Sequence, residues 1–158
     1  MSTTTLGVVP ATPAPRWLDA EEQAVWLGLL AAVQRTAGRL EEQLQRDSGL
    51  AHADYELLVR LSAAPDRRMR MSALADSALF SRSRASHAVA RLERSGWVRR
   101  EACAEDGRGS VAVLLAPGLA ALAAAAPGHV ETVRSLLFDP LSPTQVRQLG
   151  RLLAAIDV

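Results

Sequence analysis

The sequence predicts a mainly helical α+β protein with a small β wing. Apolar residues recur at helical spacing along most of the 158-residue chain, including short runs over 74–79 and 85–92 that a polar break at Ser81 separates. After Gly96 the pattern changes to two short extended segments joined by a polar, glycine-containing stretch, which is typical of a β-hairpin. Two helices joined by a tight turn and followed by a hairpin therefore form the centre of the predicted fold.

The second of these short helices has a face suited to DNA. Ser81 is a candidate N-cap, and Gly96 ends the helix because glycine readily adopts the left-handed conformation found there. The outward face combines small polar side chains with guanidinium groups, and Glu93 is its first carboxylate. A helix in the major groove needs short donors for base edges and cations for flanking phosphates. The predicted DNA-contacting residues are Ser81, Arg82, Ser83, Arg84, Ser86, His87, Arg91 and Arg94.

The predicted wing adds a cation beside this helix. Residues 97–100 and 110–114 form its strands, and residues 105–109 form its tip. Arg108 is predicted to bind DNA by entering the narrow, electronegative minor groove next to the site that the helix reads. Asp106, two residues earlier, is placed to orient the Arg108 guanidinium through a salt bridge.

These segments resemble the winged helix-turn-helix of MarR-type transcriptional regulators. The matching residues are Leu74-Ala75-Asp76, Ser81-Arg82-Ser83, Arg91-Leu92-Glu93, Gly96 with Val98 and Arg100, Asp106-x-Arg108 and Gly118. Leu79 stands where the family usually has a small residue in the turn, and Leu115 where a Thr often caps the next helix. The resemblance implies a dimeric, sequence-specific DNA-binding regulator, most often a repressor, and many such regulators bind small aromatic acids.

Four regions organise the chain. They are a disordered tail (1–16), an N-terminal dimerisation helix (17–50), a winged helix-turn-helix DNA-binding lobe (51–115) and C-terminal dimerisation helices (116–158). Within the lobe, residues 67–71 are predicted to form a short strand that leads into Ser72 as a helix cap. Pro127 interrupts a later helical pattern, so we expect either a kink there or two helices meeting at an angle.

Capping signals predict where the two outer helices begin. Asp19 with Glu22, and Ser142 with Gln145, have the spacing of a capping box. In such a box the two side chains each accept a hydrogen bond from the other residue's backbone amide. The first long helix should therefore start near Asp19, and the last one just after Ser142.

Apolar stripes on these outer helices predict a homodimer. The first and last helices carry more apolar surface than one small lobe can cover, so a second copy is the expected partner. Pairing through these ends places the two DNA-reading helices, one from each chain, about 34 Å apart. This distance is one turn of double-stranded DNA, so the expected partner is a palindromic operator. The predicted interface residues are Trp17, Val25, Val146, Leu149, Leu153 and Ile156.

Other side chains suggest functions that the sequence leaves open. Trp26, His52 and Tyr55 form a candidate pocket for a small aromatic ligand, with an ordinary core or interface role slightly favoured. Cys103 suggests a redox sensor, but it is the only cysteine and has no resolving partner, which favours a structural role. The three histidines lie on different predicted elements without further ligands at metal spacing, so neither a metal site nor a cofactor is predicted.

Composition and charge further limit the classes of function that the sequence allows. Residues 60–108 hold eleven Arg and six acidic residues, and the rest of the chain holds seven and eleven, so positive charge is concentrated at the predicted DNA-binding lobe. No apolar run suggests a membrane span and no signal-peptide pattern is present, so we expect a cytoplasmic protein. No nucleophile and base pair or phosphate loop predicts an enzyme. The alternative function is a winged-helix protein-interaction module or a nonspecific architectural DNA-binding module.

Overall fold

The computed structural model describes residues 15–103 and 109–156 and confirms the mainly helical α+β fold. The chain divides into two compact units, one ending at Gln34 and one beginning at Arg35. The helices are α1 (Ala20–Ser48), α2 (His52–Ala63), α3 (Met71–Ser77), α4 (Arg82–Arg94), α5 (Ala116–Val133) and α6 (Pro143–Ile156). The strands are β1 (Arg68–Arg70), β2 (Val98–Ala102) and β3 (Ser110–Leu114). Only the last two residues of the predicted tail, 1–16, are among those described.

Both predicted capping boxes are confirmed. The backbone amide of Asp19 donates to Glu22 Oε2 at 2.9 Å, and that of Glu22 donates to Asp19 Oδ1 at 2.8 Å. At the start of α6, the Ser142 amide donates to Gln145 Oε1 at 2.9 Å, and the Gln145 amide donates to Ser142 Oγ at 3.4 Å. Each box satisfies amides that have no partner within the first turn of a helix.

The three strands form one antiparallel sheet in the order β1-β3-β2. The predicted hairpin is β2 and β3, which pair from Val98 opposite Leu114 to Ala102 opposite Ser110. Strand β1 pairs with the other edge of β3, with Met69 opposite Ala112. The sheet therefore joins the segment before α3 to the hairpin that follows α4.

One hydrophobic core holds these elements together within the second unit. Leucines from α1, α2, α3 and α4 meet small and branched residues from the sheet, and the half-buried Trp97 packs against them. The largest fully buried side chains are Leu44, Leu57, Leu58, Leu61, Leu74, Leu92, Val89 and Val98. Because α4 contributes one whole face to this core, the direction of its opposite face is fixed.

Two local predictions before α4 are wrong. Ser72 does not cap α3, because β1 passes directly into a helix that begins one residue earlier, at Met71. Leu79 does not join the apolar face of α3 and is 91% exposed. Its φ of 54° lies in the left-handed region, which closes the turn into α4 and turns the side chain away from the core.

Of the two alternatives expected at Pro127, a kink or two helices meeting at an angle, the second is not what the structure has. Helix α5 continues through Pro127 to Val133, and a π-helical segment, Arg134–Phe138, follows it. Gly128 lies next to the proline, and a Cβ atom built on it would be 2.9 Å from Gln43 Nε2 of α1. A larger residue at this position would displace the Gln43 side chain, so glycine leaves room for its amide here.

Each unit also exposes large apolar side chains. The first unit exposes Trp17 at 85% and Val25 at 67%, and α6 exposes Leu153 at 51% and Ile156 at 58%. Helix α6 has no buried residue, although it is strongly amphipathic. Within residues 15–103 and 109–156, every helix is too short or too polar to cross a lipid bilayer.

Candidate nucleic-acid interface

Helix α4 presents the polar face that the sequence predicts. Ala85, Ala88, Val89 and Leu92 are buried, and the opposite side is open to solvent. Ser81 Oγ accepts a hydrogen bond from the Arg84 amide at 3.2 Å, which confirms the N-cap. Of the predicted contact residues, six are exposed and two, Ser86 and Arg91, are half-buried; the six are Ser81, Arg82, Ser83, Arg84, His87 and Arg94.

The other end of α4 is fixed by a glycine turn. The Gly96 amide donates to the Glu93 carbonyl at 2.9 Å, and the Trp97 amide donates to the Leu92 carbonyl at 3.0 Å. Gly96 has a φ of 70°, as predicted for the residue after the C-cap. The chain then enters β2 directly, so the helix and the hairpin are joined without a flexible linker.

An aromatic ring orients one of the predicted DNA-contacting arginines. The Arg84 guanidinium carbon lies 4.1 Å from the centre of the Phe80 ring. This cation–π contact reduces the rotameric freedom of the Arg84 side chain before it meets any partner. Phe80 was not among the predicted residues, although its spacing of four residues from Arg84 is a local signal that could have indicated the pair.

A cleft of about 400 Å³ lies between α4 and the sheet. Three arginines line it, one each from β1, α4 and β2, together with serine hydroxyl groups from three elements. The lining residues are Arg70, Met71, Ser72, Arg82, Ser86, Arg100, Gly109 and Ser110. Guanidinium and hydroxyl groups in this arrangement can bind an anionic oxygen, as in a phosphate.

Arg91 has a structural role that the sequence did not reveal. Its Nε donates to Asp54 Oδ2 at 3.0 Å and its Nη2 to Asp54 Oδ1 at 2.6 Å, which is a bidentate ion pair between α4 and α2. Asp54 is 7% exposed, and its hydrogen bond raises the pKa of the Arg91 guanidinium. The two residues are 37 positions apart, so no local pattern could have linked them. The Arg91 guanidinium thus contacts Asp54 within the lobe, and its predicted contact with DNA stays a prediction.

A second ion pair joins the end of α4 to the sheet. Glu93 Oε1 accepts a hydrogen bond from the Arg100 amide at 2.9 Å, and Oε2 accepts one from Arg100 Nε at 2.7 Å. Glu93 therefore neutralises a cation of β2 and ties the strand to the helix. From the sequence, Glu93 was recognisable only as the first carboxylate of this face of α4.

The tip of the wing lies outside the described residues. Arg108 and Asp106 both fall there, so their predicted contact and salt bridge stay predictions. On either side of the gap, the Cys103 amide donates to the Gly109 carbonyl at 2.9 Å, which closes the base of the loop. Cys103 itself is 6% exposed, and its side chain belongs to the hydrophobic interior of the hairpin.

Two residues of the candidate aromatic-ligand pocket, His52 and Tyr55, lie next to His129, which was not among the predicted pocket residues. Tyr55 is buried and its ring centre is 4.3 Å from that of His129, which also stacks with His52 at 6.0 Å. Burial lowers the pKa of His129, and the neighbouring His52 lowers it further. Trp26 belongs to the first unit and is 49% exposed.

The three histidines lie on different elements, as predicted, but two of them meet in space. His52 and His129 meet although they belong to different helices, and His52 Nε2 lies 3.8 Å from Glu56 Oε1. Only His87 stays apart, on the exposed face of α4. Among the residues that the structure describes, no group of three or more His, Cys, Asp or Glu side chains is placed to hold a metal ion.

Comparisons with known proteins identify the family. A sequence profile of the MarR family matches residues 48–109. The MarR family transcriptional regulator Sco3205 from Streptomyces coelicolor, solved in complex with DNA, is 50% identical, with 90% of each chain covered and a TM-score of 0.86. The chain belongs to the MarR family. A second MarR family regulator from the same organism, AbsC, is 41% identical over 90% of this chain and 96% of its own, with a TM-score of 0.83.

A more distant neighbour in structure is BpsR from Bordetella bronchiseptica. It is 18% identical over 85% of this chain and 99% of its own, with a TM-score of 0.75, and so shares the fold. A search of curated protein sequences found no match. Membership of the MarR family makes the chain a transcriptional regulator with the winged helix-turn-helix that its central residues predict.

Proposed function

We propose that the protein is a homodimeric repressor that binds a palindromic DNA operator through α4 and the wing. The exposed N-terminal end of α4 carries this proposal. Ser81, Ser83 and His87 offer donors for base edges, and Arg82 and Arg84 are cations close to them. The first turn of α4 has no acidic residue that would repel phosphates. The complex of Sco3205 with DNA supports this use of the fold.

The cleft beside α4 extends the proposed surface. Arg82 and Ser86 line it from the helix, and Ser110 lines it from the sheet. Contacts of these groups with phosphates would set the register of the helix in the major groove. Arg108, at the tip of the wing, would then bind in the adjacent minor groove. Backbone contacts of this kind supply affinity, whereas the base contacts of α4 supply specificity.

The proposed dimer rests on apolar surface that a single chain leaves uncovered. Trp17 and Val25 are exposed in the first unit, and Leu153 and Ile156 are exposed in the second. Val146 and Leu149, on the same stripe of α6, are half-buried. Large apolar side chains grouped on amphipathic helices mark interaction surfaces, and a symmetric pair of identical chains covers them in the simplest way. Two recognition helices then meet a palindrome with half-sites one DNA turn apart.

Repression and its relief complete the proposal. A dimer bound across a promoter blocks access of polymerase, and a ligand releases it only by binding the DNA-free form more tightly. DNA binding by BpsR is regulated by 6-hydroxynicotinic acid, which makes small aromatic acids the first compounds to test. Trp26, His52 and Tyr55 are the residues proposed to contact such a ligand.

The test is a fluorescence-anisotropy titration with the promoter fragment of the protein's own gene and a scrambled fragment, at two salt concentrations. We expect a preference for the promoter of about a thousandfold or more, and a particle mass of two chains by light scattering. Arg108→Ala should weaken binding while the dimer persists. Glutamate at both Leu149 and Leu153 should give monomers that bind the operator poorly.

Other outcomes separate the alternative functions. Equal, salt-sensitive binding to both fragments, repeated with fragments selected from random DNA, would favour a nonspecific architectural protein. A fully active monomer would overturn the dimer. Failure to bind any DNA would favour a winged-helix protein-interaction module.

A further inference from the structure

A small polar pocket lies between α1 and the end of α5, away from the DNA-facing surface of α4. Its volume is about 200 Å³. The lining residues are Arg39, Glu42, Gln43, Arg46, Thr132, Ser135 and Leu136. Leu136 is the only apolar side chain among them. Such a lining suits a small charged molecule and does not suit an aromatic one.

The amide of Gln43 has an unsatisfied acceptor. Gln43 is 3% exposed, and its Nε2 donates to Asp47 Oδ2 at 2.9 Å. This bond fixes which end of the amide is oxygen, and it lowers the pKa of the Asp47 carboxyl. Gln43 Oε1 is buried and has no hydrogen-bond partner within residues 15–103 and 109–156. A buried acceptor without a partner is costly, and a ligand that donates to it would recover the lost hydrogen bond.

The neighbouring polar groups define what the ligand must carry. The Thr132 hydroxyl donates to the Gly128 carbonyl and the Ser135 hydroxyl donates to the Thr132 carbonyl, so both oxygens are left to accept. With the Glu42 carboxylate, they form an acceptor set suited to an ammonium group.

The cations of the pocket define the other end of the ligand. Arg46 Nε donates a hydrogen bond to Asp47 Oδ1 at 3.1 Å, whereas Arg39 has no polar partner among the described side chains. A planar guanidinium binds a carboxylate through two parallel hydrogen bonds. The pocket therefore pairs acceptors for an ammonium group with a cation for a carboxylate.

We infer that this pocket binds a free amino acid, with the ammonium group on Gln43 Oε1 and Glu42 and the carboxylate on Arg39. The molecule bridges α1 and the π-helical segment after α5, because the lining residues come from both. π-Helical turns within helices often occur at functional sites. The site does not depend on the proposed operator, since its residues lie outside α4 and the wing.

The experiment titrates the full-length protein, without DNA, with each common amino acid in turn, by calorimetry and by thermal shift. We expect at least one to bind at millimolar concentration or below and to raise Tm. The matched carboxylic acid that lacks the amine, and the amine that lacks the carboxylate, should each bind about tenfold more weakly or worse. An acid that binds as well as its amino acid would overturn the zwitterion assignment.

Variants test the site itself. Arg39→Gln and Gln43→Leu should each weaken binding by about tenfold or more, whereas Arg35→Gln, on the same helix but outside the pocket, should leave it unchanged. Arg39 is exposed, so its variant should fold even if Gln43→Leu does not. The inference is overturned if no amino acid binds the wild type, or if Arg39→Gln binds as tightly as the wild type.

Discussion

The two ends of α4 carry the same cationic side chain in different surroundings. At the N-terminal end, Arg82 and Arg84 have no carboxylate partner within residues 15–103 and 109–156. At the C-terminal end, Arg91 is held by Asp54 of α2 in a bidentate pair. The difference lies in the neighbouring elements and not in the arginines. The guanidinium groups of Arg82 and Arg84 are therefore open to a partner outside the described residues, whereas that of Arg91 already holds a carboxylate.

Loss of the Arg91 side chain should have the largest effect. Arg91→Ala leaves the Asp54 carboxylate buried without its partner, which should lower the free energy of unfolding by about 3 kcal/mol. Urea denaturation followed by circular dichroism measures this change. Arg94→Ala is the matched control, because Arg94 is exposed at the same end of α4 and its Nε donates to the Ala90 carbonyl at 3.4 Å, with no ion pair among the described residues. Equal stability of the two variants would contradict the structural role assigned to the Arg91–Asp54 ion pair.

Loss of the Arg84 side chain should act on DNA affinity. Arg84→Ala should weaken operator binding by about 2 kcal/mol, or roughly thirtyfold, because a contact to a base edge or a phosphate is lost. The folding free energy should change little, since among the described residues the Arg84 side chain contacts the Phe80 ring and forms no ion pair. Anisotropy titrations measure the affinity of this variant and of Arg60→Ala, which removes an exposed arginine of α2. A larger loss of affinity in Arg84→Ala would show that a local contact is lost and not only a positive charge.

Phe80→Leu sharpens the same comparison. It keeps an apolar side chain and removes the ring that orients Arg84, so operator affinity should fall by less than in Arg84→Ala. An unchanged affinity in both variants would mean that the N-terminal end of α4 does not read DNA.

Loss of the Ser81 hydroxyl should have a smaller effect on folding. Ser81→Ala removes the acceptor of the Arg84 amide, and the free energy of unfolding should fall by about 1 kcal/mol. Ser83→Ala, two residues later and also exposed, removes a hydroxyl that caps nothing. A thermal-unfolding comparison of the two serine variants should show a lower Tm for Ser81→Ala alone.

Acidification should have the smallest effect, and it should act away from α4. The folded state lowers the pKa of His129 below its ordinary 6.5, so the unfolded chain binds more protons as the pH falls through that value. Stability from this group is complete above pH 6.5 and is lost below it. His129→Gln should therefore flatten the dependence of Tm on pH in this range, whereas His87→Gln, on the exposed face of α4, should not.

The sequence predicted what depends on near neighbours in the chain. Ser81, Gly96 and the two capping boxes act within a few residues, and each occupies its predicted position. The buried stripe of α4 was predictable for the same reason, since helical periodicity is a local property.

The contacts that the sequence did not predict join residues distant in the chain. Asp54 meets Arg91, and His52 meets His129, because the hydrophobic core brings three helices together. The prediction for Leu79 was wrong for a different reason. Periodicity assigns Leu79 to the apolar face of the helix, but the backbone leaves the helical region there. The predicted interface and ligand residues depend on a second copy and on a ligand, which one chain does not contain.

The strand order has a consequence for how the protein is made. Strands β1 and β2 are synthesised before β3, yet neither pairs with the other, and both bond only to β3. Until residues 110–114 emerge from the ribosome, each earlier strand lacks the partner for its backbone groups. Helix α4 can form beforehand, because its caps are local, but it lacks the sheet against which part of its core face packs. A nascent chain thus completes the sheet that supports α4 only after residues 110–114 have been translated.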